Sequence, residues 1–124
     1  MTQPLALVLY EKLFPGSQLV NRLQDMGYRV LTVPGAEALV ACAEQEKPML
    51  VLADLAATQA KVFESIAQLR GHPATMHLPV IAFAEEREVD LQAAARDAGA
   101  TLVVNEAAIL THLEQLLDRA LHLD

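Results

Sequence analysis

The chain has 124 residues, 53% of them hydrophobic, and a formal net charge of −7. That length fits one domain, and the apolar content suffices for a core without a metal or disulfide staple. The acidic balance argues against binding to nucleic acid or anionic lipid, which attract basic patches; Lys12, Arg22, Arg29, Lys47, Lys61 and Arg70 are scattered and form no block.

Short β-rich runs alternate with longer helical ones. Leu5 to Tyr10 is the first predicted strand. Pro15-Gly16-Ser17 follows as punctuation, with Ser17 placed as an N-cap. Leu19, Val20, Leu23 and Met26 then recur at helical spacing, and Gly27 ends that helix. Arg29 to Val33 is the second strand. Pro34-Gly35 opens a second helix with Ala36, Leu39, Val40 and Ala43 inward. Pro48 precedes the third strand, Met49 to Asp54. A third helix, from about Ala60 to Arg70, carries Val62, Phe63, Ile66 and Leu69 on one face, and Gly71-His72-Pro73 breaks it. Leu78 to Ala84 is the fourth strand. Glu85-Glu86-Arg87-Glu88, a solvated helix entry, leads into an Ala-rich fourth helix that stops at Gly99. Thr101 to Val104 is the fifth strand. The last helix carries Leu110, Leu113, Leu117 and Leu121 as a stripe, with Leu116 and Ala120 beside it.

Five strand–helix units with continuously apolar strands predict a parallel sheet with helices on both faces. Aromatics make up only 4% and Trp is absent, so the core is expected to be Leu, Val, Ile and Ala. Right-handed crossovers leave few arrangements, and a doubly wound, flavodoxin-like α/β sheet of order 2-1-3-4-5 with five helices is the natural one. No repeat or linker interrupts it, so residues 1–124 read as one domain.

Cys42, the single cysteine, lies among Val40, Ala41 and Ala43 and reads as a buried apolar residue. A lone cysteine fits a reducing compartment. Met1 to Pro4 shows no basic leader, and no run reaches the roughly 18 apolar residues of a membrane span, so a cytoplasmic location is expected. His72, His77, His112 and His122 have no metal-ligand spacing, and His72 and His77 are expected to be solvated. The chain has no nucleophile elbow, no phosphate-cradling glycine loop and no Cys-x-x-Cys, and it reads as a non-enzyme.

In a sheet of this order, ligands sit outside the carboxyl ends of the strands, between the first and third. Asp54 ends the third predicted strand. The run Leu50-Val-Leu-Ala-Asp-Leu55, the segment His72-Pro73-Ala74-Thr75 before Leu78-Pro79-Val80-Ile81, the turn Ala98-Gly99-Ala100, and Met26-Gly27-Tyr28-Arg29-Val30 together resemble the receiver domain of bacterial response regulators, the CheY-like superfamily. The resemblance covers nearly the whole chain. It implies a place in two-component or phosphorelay signalling, with Asp54 at the phosphoacceptor position.

Other positions depart from that pattern. Two acids that hold Mg²⁺ at the end of strand one are here Tyr10 and Glu11. The hydroxyl residue ending strand four is Ala84. The lysine after strand five, normally followed by Pro, is Glu106 followed by Ala107. The aromatic switch falls on Val103, and Thr58 and Val62 replace a Pro and a Gly after the acceptor. Phosphoryl transfer needs positive charge around the moving oxygens. Two unit charges roughly 4 Å apart interact by about 1–4 kcal/mol in a wet site, so exchanging Lys for Glu106 could slow the reaction by several powers of ten.

The expectation is therefore a degenerate receiver: a protein-contact module whose action does not depend on phosphorylation. Two alternatives stay open. One is a working receiver phosphorylated at Asp54 by a histidine kinase, and the other is a small-molecule binder or enzyme on the same fold. Asp54 is either a phosphoacceptor or a solvated structural carboxylate. Tyr10 either fills the space of the missing acid or is a half-buried aromatic with its hydroxyl in water. Glu11, Asp54 and Glu106, placed at the carboxyl edge of neighbouring strands, would suit a weak, non-catalytic Mg²⁺ or Ca²⁺ site. The resemblance also implies partner or dimer contacts through the face of the fourth helix, fifth strand and last helix, here Arg87, Asp90, Gln92, Arg96, His112, Gln115 and Arg119.

Overall fold

A computed structural model describes residues 4–10, 13–33, 35–55 and 61–121, and for 13–16 the backbone alone. The strands are β1 (Leu5–Leu9), β2 (Arg29–Val33), β3 (Leu50–Asp54), β4 (Val80–Ala84) and β5 (Leu102–Asn105). The helices are α1 (Leu13–Asp25), α2 (Leu39–Glu46, entered through a 3-10 turn at Ala36–Ala38), α3 (Lys61–Gly71), α4 (Val89–Ala98), α5 (Glu106–Thr111) and α6 (Leu113–Leu121). All strands are parallel, in the order β2-β1-β3-β4-β5. That is the doubly wound sheet expected from the alternation of elements.

Strands β1, β3 and β4 are buried along their whole length. Their side chains divide with the two-residue period of a strand. Leu5, Leu7, Leu9, Val51, Ala53, Val80, Ala82 and Ala84 join one layer with α2, α3 and α4. Ala6, Val8, Leu50, Leu52, Ile81 and Phe83 join the other, with α1, α5 and α6. The edge strands differ: β2 exposes Leu31 and Thr32, and β5 is half-buried throughout.

Two helices depart from the expected boundaries. α1 begins at Leu13, so Pro15 lies in its first turn and Ser17 inside it rather than at its cap. A helix tolerates proline there because the first N–H groups have no intrahelical acceptor anyway. The last helix is two helices, divided at His112, whose backbone (φ −118°, ψ 26°) leaves the helical region. The apolar stripe crosses that break as Ile109, Leu113, Leu116, Leu117 and Ala120, while Leu110 and Leu121 are only half-buried. Both phases satisfy helical spacing, and the one that buries the β-branched Ile109 in the second layer is adopted. Cys42 is half-buried against the first layer rather than enclosed.

Glycines end two of the helices as expected. Gly27 (φ 95°) follows α1 and Gly99 (φ 111°) caps α4, its N–H donating to Ala95 O and Arg96 O. Among the described residues, no helix is long and apolar enough to cross a membrane.

Candidate functional site

The register of the sheet sets out the carboxyl edge. Leu9 pairs with Ala53, Asp54 with Phe83, and Ala84 with Asn105. Tyr10, Asp54, Ala84 and Glu106 therefore lie at the ends of β1, β3, β4 and β5, along one edge. Glu11 and Thr58 fall outside the described residues. β4 stands between β3 and β5, so the backbones carrying Asp54 and Glu106 are about 10 Å apart, two strand spacings. That separation follows from the expected strand order 2-1-3-4-5.

Asp54 is 0% exposed, which rules out the solvated carboxylate anticipated from its place at a strand end. Strand pairing continues past it, since Leu55 N donates to Phe83 O at 2.9 Å. Ala84 is 1% exposed, closed into the first layer, and brings no hydroxyl to the edge. Tyr10 is half-buried against the second layer and Val103 half-buried against the first. Glu106 opens α5 and is half-buried, with Oε1 out of reach of water. The α5 entry is fixed by the residue before it: Asn105 Oδ1 accepts from Ala108 N at 2.8 Å, a side-chain N-cap.

Mg²⁺ would need several oxygen ligands in near-octahedral array. Among the described residues no group of three or more His, Cys, Asp or Glu could hold a metal. Asp54 and Glu106 are two of the three carboxylates of the cation reading, and the third, Glu11, lies outside the described residues.

The positions expected on the face of α4, β5 and α6 differ in exposure. Arg87, Asp90, Arg96, His112, Gln115 and Arg119 are exposed, whereas Gln92 is half-buried and its Nε2 donates to Glu85 O at 3.1 Å. Gln115 opens on a groove beside Met26 and Tyr28, at the α1 side of α6. His72 and His77 are exposed as expected, and His72 Nδ1 approaches Glu44 Oε1 at 3.8 Å.

A polar constellation lies at the opposite, amino edge. The Arg70 guanidinium donates through Nε to Gly99 O (2.7 Å), through Nη1 to Met76 O (2.7 Å) and through Nη2 to Thr101 Oγ1 (2.6 Å). Thr101 Oγ1 also accepts from Val80 N at 2.9 Å. Burial holds the Arg70 pKa below the ordinary arginine value. Nearby, the buried Thr75 donates to Leu69 O at 2.8 Å. Gly99 and Thr101 are remote from Arg70 in sequence, and the only local signal is an arginine beside the helix-ending Gly71.

No family model matches the chain. An uncharacterized 14.6 kDa protein of Leptolyngbya boryana is 39% identical over 75 residues, covering 60% of this chain and 57% of that protein. The match thus spans little more than half of the relative. Solved structures resemble the whole chain. The activated N-terminal receiver domain of Klebsiella pneumoniae RstA has a TM-score of 0.82 at 17% identity, over 96% of this chain and 99% of that one. The signal receiver domain of a modulated diguanylate cyclase from Desulfovibrio desulfuricans has 0.80 at 22%, over 98% and 95%. A chemotaxis response regulator of Vibrio cholerae has 0.75 at 19%, over 93% and 99%. The chain has the fold of a response-regulator receiver domain. At such identities the likeness concerns the fold, and chemistry rests on the residues at the edge.

Proposed function

We propose that this chain is a signalling module that acts by protein contact, without catalysis and without phosphorylation at Asp54. The observation that carries the reading is the burial of Asp54: a phosphodonor must reach a carboxylate oxygen in line, and this carboxylate has no exposed surface. Its surroundings support the same reading. Ala84 and Val103 lack the groups that would sense a phosphoryl, and Glu106 stands where the receiver resemblance implies a lysine.

Incubation with acetyl phosphate and Mg²⁺, followed by intact-mass measurement, tests this. The expected spectrum is unchanged. A phosphoryl-sized gain that disappears in Asp54→Ala would establish the alternative, a working phosphoacceptor.

A further inference from the structure

At the amino edge, the end of α2 and the loop before β4 enclose a pocket of about 160 Å³. That is below the roughly 300 Å³ at which pockets for drug-sized ligands begin, and close to the roughly 150 Å³ that holds one benzene ring. Its base is apolar, since Ala43, Pro48 and Leu78 are buried. Lys47 and His77, both exposed, come from its two walls, one ending α2 and the other preceding β4. The loop wall is fixed from within. The buried Thr75 donates to Leu69 O at 2.8 Å, Leu78 N donates to Thr75 O at 3.0 Å, and Arg70 Nη1 donates to Met76 O at 2.7 Å. The pocket is therefore formed before a ligand arrives, which lowers the ordering cost of binding.

Lys47 points to the class of ligand. Its backbone is left-handed (φ 52°), which no other non-glycine among the described residues shares. It caps α2, its N–H donating to Ala43 O at 3.1 Å. Glycine takes such a cap at less cost, as Gly99 does for α4. A lysine within the last turn would meet the helix dipole without that backbone cost, and α2 has none there. At position 47 the side chain instead lines the pocket. Among the described residues, neither Lys47 nor His77 has a side-chain hydrogen bond or ion pair. An ammonium and an imidazole beside an apolar base suit a carboxylate attached to a compact apolar body. Glu44 also lines the pocket, but His72 Nδ1 lies 3.8 Å from its Oε1, so it calls for no cation from a ligand. Its charge and the negative end of α2 disfavour a second carboxylate.

We propose that this pocket binds a small monocarboxylic acid, its apolar body over Ala43, Pro48 and Leu78 and its carboxylate accepting from Lys47 and His77. The site lies at the opposite edge from Asp54 and is independent of the contact-module reading.

Titration of the labelled full chain with benzoate, followed by NMR, tests it against benzamide, acetate and terephthalate. Benzoate should move the resonances of Ala43, Ala74 and Leu78 to saturation. Benzamide lacks the charge, acetate lacks the apolar body and terephthalate carries a second carboxylate, and each should bind several-fold more weakly. Lys47→Gly should weaken benzoate binding about tenfold, the loss of one charge-assisted hydrogen bond, without lowering the denaturation midpoint. Lys47→Arg should hold the affinity within a few-fold, because the charge remains. Ala74→Leu, at an exposed position of the loop wall, should block the pocket while leaving both cationic side chains in place. Lys61→Gln, an exposed lysine outside the pocket, should change nothing. Shifts centred elsewhere, a failure to saturate, equal binding of benzoate and benzamide, or full affinity in Lys47→Gly or Ala74→Leu would overturn the site and leave the reading of Asp54 untouched.

Discussion

The two edges of the sheet use polar groups in opposite ways. At the amino edge, Arg70 ties the end of α3 to Gly99 before β5, to Met76 before β4, and to Thr101, whose hydroxyl in turn accepts from Val80 N. At the carboxyl edge, Ala84 and Tyr10 stand where a hydroxyl and an acid would complete a receiver site, and Asp54 is closed in. The polar contacts described at the amino edge tie separate elements together, whereas the contact described at the carboxyl edge, Ala108 N to Asn105 Oδ1, is local to the entry of α5. Retaining a fold and retaining its reaction are separate demands on a sequence.

The contrast can be broken most sharply at Arg70. Arg70→Ala removes three hydrogen bonds from a charged donor and should cost about 2–3 kcal/mol, read as a lower denaturation midpoint at unchanged slope. Gly99→Ala should cost about 1–2 kcal/mol, because it places a Cβ on a left-handed backbone. That Cβ would also lie 2.7 Å from Arg70 Cγ. The two losses should not add: in the Arg70→Ala background the contact is gone and only the backbone cost remains. Ala84→Thr probes the other edge. It should cost about 1 kcal/mol by crowding a filled layer. Acetyl phosphate should still leave the variant unlabelled, because the restored hydroxyl does not open Asp54 to solvent. Labelling of that variant would show that the missing hydroxyl, rather than burial, silences the site.

Much of this architecture was legible in the sequence. Runs such as Leu5 to Leu9 and Leu50 to Ala53 have no polar face, so they read as strands covered on both sides, and β1 and β3 are. Gly27 and Gly99 marked helix ends because each takes a backbone conformation that costs other residues more. Pro15 misled because proline's effect depends on its place in a helix, and the first turn tolerates it. The break at His112 left no mark, since the apolar spacing runs through it. For the site, position was readable and environment was not. Asp54 could be placed at a strand end, but its exposure depends on what lies over it. The Arg70 contacts and the pairing of Met26 and Tyr28 with α6 join segments far apart in the chain.

The strand order has a consequence for how the chain is made. β1 is the first of the five strands to be synthesised and ends up second in the sheet, between β2 and β3. Its second partner begins at Leu50, about 40 residues after Leu9, which at about 5–20 residues per second means roughly 2–8 seconds of synthesis. Throughout that interval, one side of a wholly apolar segment waits for the strand that will cover it. The growing chain is most prone to stray association then, well before the sheet is complete.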